Sequence, residues 1–85
     1  MLSQTGVILS AIWSEVLQTD AVLPESDFFS LGGDSVLVMT MLLRVEEELG
    51  IFLDPGVMFT APTLAEFSDE VDKARGNAEQ SASVG

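Results

Sequence analysis

The apolar residues between Ser3 and Leu17 recur mainly at steps of three and four residues. The pattern is carried by Val7, Ile8, Ala11, Ile12, Trp13 and Val16. This is the period of an amphipathic helix, so the pattern predicts a first helix over this segment. Ser3 and Thr5 are both acceptable caps for its start, whereas Gly6 weakens the first turn.

The segment from Gln18 to Gly33 has the composition of a loop. It contains Asp20, Pro24 and Asp27, and it ends in the pair Gly32-Gly33. Its apolar side chains are Val22, Leu23, Phe28, Phe29 and Leu31. Loops of this length are uncommon unless they are functional, so we expect these side chains to anchor a packed, functional loop.

A second helix is predicted from Asp34 or Ser35, either of which can cap it, to Leu49. Gly50 follows, and glycine best tolerates the left-handed conformation that closes a helix. Up to residue 45, the apolar residues of this helix are Val36, Leu37, Val38, Met39, Met41, Leu42, Leu43 and Val45. These residues are too many to lie on one face of the helix, so some of them must face solvent or a partner. The run Glu46 to Glu48 opposes the helix dipole, a placement that fold stability does not explain.

Two further helices are indicated after Gly50. Asp54-Pro55-Gly56 breaks the chain, and the following Val57 to Phe59 is long enough for one helical turn. Thr63 to Glu66 has the pattern of a capping box. Leu64, Phe67 and Val71 then repeat with helical spacing, which predicts a last helix that ends near Arg75-Gly76.

These elements predict an all-α fold, a four-helix bundle with a short third helix. The chain has 85 residues and a mass of 9.1 kDa, enough for one hydrophobic core. We therefore expect a single domain over residues 1–76. Residues 77–85 are mostly small and polar, which predicts a disordered tail or a linker stub.

Composition excludes several functions. The net charge of −11 argues against nucleic acid and anionic membranes as primary partners. The chain has neither Cys nor His, so it cannot form a Ser-His triad, a Cys-His dyad or a thiolate or imidazole metal site. We expect no catalytic residue and no bound metal. The longest strongly apolar run, Val36 to Leu43 broken by Thr40, is too short to span a bilayer. The start of the chain lacks the basic residues of a secretory signal, so we expect a cytoplasmic location.

The segment Leu31 to Val36 combines a Gly-Gly turn with Asp34 and Ser35 at a helix start. Ser35 could act only as a cap, or its hydroxyl could carry a phosphoester stabilised by the helix N-terminus. A nucleophile elbow is excluded because Leu37 stands where that motif needs glycine. A P-loop is excluded because the first lysine is Lys73. The acidic residues do not have the spacing of a calcium loop.

Residues 7–74 resemble the phosphopantetheine-dependent carrier proteins, specifically the peptidyl carrier domains of nonribosomal peptide synthesis. The resemblance rests on Ile12 to Leu17, Asp27 to Val36, Gly50, and Met58 to Leu64, in this order and spacing. It implies that Ser35 receives 4′-phosphopantetheine from coenzyme A, with Gly33 and Asp34 forming the rest of the site. The thiol of that arm would carry an aminoacyl, peptidyl or related acyl thioester.

The resemblance also implies partners. They are a phosphopantetheinyl transferase and adenylation, condensation, thioesterase or tailoring enzymes, which a monomeric carrier would meet in turn. Val36 and Met39, beside Met58 or Phe59, would form the exposed patch that partners contact, although Met39 and Phe59 could instead belong to the core. Two alternatives stay open. One is a polyketide acyl carrier, and the other is an unmodified helical interaction module that binds through the apolar surplus of the second helix.

Overall fold

The computed structural model describes residues 4–20 and 22–84, and the side chains of residues 4–20 and 22–76. Its helices are α1 (Gln4–Leu17), α2 (Ser35–Leu49), α3 (Val57–Thr60) and α4 (Leu64–Val84). Within the described ranges the chain forms no strand, only one isolated bridge between Asp27 and Thr63. The predicted all-α fold with a short third helix is confirmed.

The core lies between α1, α2 and α4 and receives one side chain each from the loop and from α3. Its buried members are Leu9, Ile12, Trp13, Phe28, Val38, Met41, Leu42, Val45, Met58, Leu64, Phe67 and Val71. The Trp13 ring packs edge-on against Phe28 at a centroid distance of 5.0 Å and lies 5.9 Å from Phe67. Trp13 therefore joins α1 to both the loop and the last helix.

The start of α1 differs from the predicted capping. Thr5 lies inside the helix and is buried, so the interpretation of Thr5 as a cap is wrong. Its Oγ1 instead accepts a hydrogen bond of 3.0 Å from Nη1 of Arg75, which ties α1 to α4. Ser3, the other candidate cap, lies outside the described residues.

The capping box of α4 is confirmed. The backbone N–H of Glu66 donates to Oγ1 of Thr63 at 3.2 Å, and the N–H of Thr63 donates to Oε1 of Glu66 at 3.3 Å. The expected end near Arg75-Gly76 is wrong, because α4 continues to Val84. Gly76 does not adopt the positive φ that closes a helix. The proposed tail of residues 77–85 falls where side chains lie outside the described residues, so the boundary at residue 76 stays a prediction.

The loop between α1 and α2 is held against the start of α4 by backbone hydrogen bonds. Phe28 N–H donates to the carbonyl of Pro62 at 2.9 Å, and Leu64 N–H donates to that of Ser26 at 3.0 Å. Phe28 is fully buried, which confirms a packed loop, whereas Leu23 is exposed and is not an anchor. The loop therefore arrives at α2 in a fixed position.

Candidate attachment site at the start of α2

Ser35 is the exposed first residue of α2. Asp34 precedes it in extended conformation and caps the helix, with Oδ1 accepting a 2.9 Å hydrogen bond from the N–H of Leu37. The structure thus resolves the choice of cap in favour of Asp34. The Ser35 side chain stands beside the cap at the surface, where another molecule can reach it.

The two glycines before Asp34 have different roles. Gly32 has a φ of 102°, which side-chain-bearing residues rarely adopt. At Gly33, an added Cβ would clash with the Phe28 ring and would lie 2.7 Å from the Phe28 carbonyl oxygen. The Gly33 N–H also donates to that oxygen at 3.0 Å. Gly33 therefore lets the loop pass directly over a core side chain before it delivers Ser35.

Asp27 stabilises the turn that leads to these glycines. Its Oδ1 accepts hydrogen bonds from the N–H groups of Phe29 at 2.8 Å and Ser30 at 3.1 Å. The backbone continues the turn with a bond of 3.1 Å from Leu31 N–H to the Asp27 carbonyl. The resemblance included Asp27, but its role in the turn became visible only in the structure.

The local electrostatics at Ser35 favour an anion. The first N–H groups of a helix have no carbonyl partner within it, and they form the positive end of its dipole. Asp34 takes the N–H of Leu37, which leaves those of Ser35 and Val36 beside the hydroxyl. A phosphate joined to the Ser35 oxygen would meet these groups, so the residues present fit a phosphoester.

The structure shows which residues of the predicted partner-contact patch are exposed. Val36 is 73% exposed, Met39 is 48% exposed and Phe59 is 79% exposed, so the alternative that Met39 and Phe59 belong to the core is wrong. The placement of Met58 in the exposed patch is also wrong, because Met58 is fully buried. Neighbouring residues of a helix point about 100° apart, so the single turn of α3 buries Met58 and exposes Phe59.

A groove of about 370 Å³ opens beside Ser35. Its lining residues are Phe29, Asp34, Ser35, Val38, Met39, Pro55, Met58 and Phe59. Phe29 lies in the segment that carries the resemblance, but its place in the sequence predicts only a loop anchor and does not mark it as a site residue. The Phe29 ring stacks on that of Phe59, with centroids 6.0 Å apart and planes inclined by 16°. These rings are 30 residues apart in the chain, so only the folded structure brings them together.

Comparison with known proteins shows the family of the chain. The family model described as "Phosphopantetheine attachment site" matches residues 8–71. The chain therefore belongs to this family, and it is a non-catalytic carrier protein whose cofactor is covalent 4′-phosphopantetheine. Among curated relatives it is 45% identical over 60 residues to surfactin synthase subunit 3 of Bacillus subtilis, covering 71% of this chain and 5% of that protein.

Solved structures of carrier proteins have the same fold. BlmI, a type-II acyl-carrier-protein from Streptomyces verticillus involved in bleomycin biosynthesis, has 35% identity and a TM-score of 0.76, covering 81% of this chain and 83% of BlmI. A peptidyl carrier protein in complex with the phosphopantetheine transferase Sfp and coenzyme A has 25% identity and a TM-score of 0.81, covering 86% and 95% of the two chains. The first of these structures is an acyl carrier protein and the second is a peptidyl carrier protein.

Proposed function

We propose that Ser35 is the attachment site for 4′-phosphopantetheine and that the chain shuttles aminoacyl or peptidyl thioesters in nonribosomal peptide synthesis. The observation that supports this most directly is the position of Ser35. It is exposed at the first position of α2, next to the Asp34 cap and within the family match. Gly33 and Asp34 complete the site by shaping the turn that presents the hydroxyl.

The reaction at Ser35 is a phosphoryl-type transfer. The hydroxyl oxygen bonds to the phosphorus that carries the pantetheine arm of coenzyme A. The bond from that phosphorus to the bridging oxygen breaks, adenosine 3′,5′-bisphosphate leaves, and the serine proton passes to a base of the transferase. The chain supplies the nucleophile and its positioning, while the transferase supplies the base and the metal. The thiol of the arm then provides the thioester chemistry that a chain without Cys cannot provide itself.

Intact-mass measurement tests the proposal. We expect one phosphopantetheinyl group to be added when the protein is incubated with coenzyme A, Mg²⁺ and a broad-specificity phosphopantetheinyl transferase. Ser35→Ala should stay unmodified, whereas Ser30→Ala, at the exposed serine five residues earlier, should be modified normally. Modification of Ser35→Ala would overturn the site assignment. A wild-type protein that gains no mass would instead favour the unmodified interaction module.

The partners follow from this role. We infer a phosphopantetheinyl transferase first, then adenylation, condensation, thioesterase or tailoring enzymes, encountered by a monomeric carrier in the cytoplasm. Among the described residues, no helix is both long and apolar enough to cross a membrane. Leu37 favours peptidyl over fatty-acyl carriage, because fatty-acid carriers often have an acid at that position. Loading by an adenylation domain with an amino acid would support the peptidyl role, and loading only by an acyltransferase would indicate a polyketide carrier.

A further inference from the structure

The residues that follow Asp27 form one capped turn that leads to the attachment site. Asp27 stands where the cap of a helix would stand, because its Oδ1 accepts the N–H groups of Phe29 at 2.8 Å and Ser30 at 3.1 Å. The backbone closes the turn with a hydrogen bond of 3.1 Å from Leu31 N–H to the Asp27 carbonyl. A single turn of this kind is unstable by itself, since it orders several residues for few hydrogen bonds. The cap is therefore a substantial part of what holds the turn.

Other contacts fix the two ends of the turn. At its start the Phe28 N–H donates to the Pro62 carbonyl at 2.9 Å, and the Phe28 ring is fully buried. At its end the Gly33 N–H donates to the Phe28 carbonyl at 3.0 Å, and Asp34 then caps α2. Between these ends, residues 29 and 30 are exposed. The middle of the turn therefore depends on the carboxylate more than its ends do.

We propose that Asp27 is a positioning residue for the transfer of phosphopantetheine to Ser35, on which it acts through the turn and not by touching the reacting atoms. The inference rests on the proposed attachment at Ser35. Phosphoryl transfer requires the attacking and leaving oxygens to be roughly in line, and a displacement of about 1 Å can lower a rate about a hundredfold. By holding the turn, Asp27 orders the approach to the hydroxyl during folding, before the transferase binds.

Hydrogen exchange tests the structural step. Asp27→Ala leaves the N–H groups of Phe29 and Ser30 to water, and the loss of a typical cap weakens the state that it stabilises about fivefold. We therefore expect the protection of these two amides to fall about fivefold. Asp27→Asn keeps an oxygen acceptor and should retain most of the protection. The domain should stay folded in both variants, because the contacts of Phe28 with Pro62 do not involve the carboxylate.

Transfer kinetics test the functional step, at a temperature where every variant is folded. The transferase binds the ordered turn, so the apparent KM for Asp27→Ala should rise as the ordered fraction falls. We expect a rise of about threefold or more. The kcat should be unchanged, because the bound complex holds the turn in order, and Asp27→Asn should restore the KM. Glu25→Ala is the matched control, because it removes the same charge from an exposed position two residues earlier and leaves both hydrogen bonds in place.

The outcomes separate this inference from the proposed function. A wild-type protein that gains no phosphopantetheinyl mass overturns both together. In a protein that is modified, a smaller rise in KM for Asp27→Ala, an equal rise for Glu25→Ala, or unchanged protection of the two amides overturns the inference alone. A loss confined to kcat also overturns it, because the effect would then lie in the chemical step. So does a failure of Asp27→Asn to restore the KM, or an Asp27→Ala protein that does not fold.

Discussion

At the scale of single residues, Asp34 has two separable roles, since its side chain caps α2 and its charge lies beside the attachment serine. Asp34→Ala removes the cap and should destabilise the fold by about 0.5–2 kcal/mol. In a domain of this size, each kcal/mol lowers the melting temperature by roughly 4–8 °C. Asp34→Asn keeps a capping side chain and should recover most of that loss. Thermal unfolding of the two variants measures this difference.

The rate of phosphopantetheine transfer then separates capping from recognition. If the transferase recognises the carboxylate, both Asp34→Ala and Asp34→Asn should be modified more slowly than the wild type. A normal rate for Asp34→Asn would limit Asp34 to its capping role. Asn is a fair control because it caps helices about as well as Asp but carries no charge.

At the scale of elements, α2 presents two methionines with opposite environments. Met39 is 48% exposed and lies one turn after Ser35, whereas Met41 is fully buried. Met39→Asp should therefore change the melting temperature little, while Met41→Asp should unfold the domain because it buries an unpaired charge. Together the two variants test whether the exposed apolar residues of α2 can be changed without loss of the fold.

The Met39→Asp variant also tests docking to the transferase. We expect Met39→Asp to weaken the encounter with the transferase by about 2 kcal/mol, as for a central contact residue, which is about a thirtyfold increase in KM. The turnover number should change less, because the Ser35 hydroxyl is untouched. Unfolding of Met39→Asp, or a normal KM in the folded variant, would contradict the role of Met39 as a contact for partners.

The elements that the sequence predicted best are those with local signals. Gly50 and the Thr63 capping box each act within a few residues, so their positions follow from the chain alone. For the cap of α2 the sequence left Asp34 and Ser35 as alternatives, because both residue types cap helices. The sequence did not show which residue of α3 is buried, because a single helical turn has no periodicity that separates Met58 from Phe59. The stacking of Phe59 on the distant Phe29 was equally inaccessible, because no local pattern encodes a contact between a loop and α3.

At the scale of the whole molecule, internal contacts hold the few basic side chains. Nη2 of Arg44 lies 3.0 Å from Oε1 of Glu15 and 3.0 Å from Oε2 of Glu48. Hydrogen bonds to Glu15 and Glu48 raise the pKa of the Arg44 guanidinium above its usual value. Lys73 pairs with Glu70 at 3.2 Å, and exposed pairs of this kind add little stability.

The acidic residues outnumber the basic ones by 14 to 3, so most of the negative charge has no positive partner within the chain. Glu46 and Glu47 are exposed at the end of α2, where the helix dipole disfavours them. Their cost to folding is consistent with a role in attracting positively charged partner surfaces. The electric field of these charges acts mainly on the rate of association and is screened by salt.

Salt should therefore have opposite effects on stability and on association. Between 0.1 and 1 M NaCl the screening length falls from about 10 Å to about 3 Å. Screening weakens repulsion among the carboxylates, so the melting temperature should rise, while the association rate with a basic transferase should fall by about tenfold or more. Thermal unfolding and stopped-flow association measure the two effects.

The double variant Glu46→Gln, Glu47→Gln should show a smaller response in both, because it carries less of the charge that salt screens. An association rate that does not depend on salt, or a melting temperature that falls as salt rises, would show that the surplus charge neither steers partners nor opposes folding.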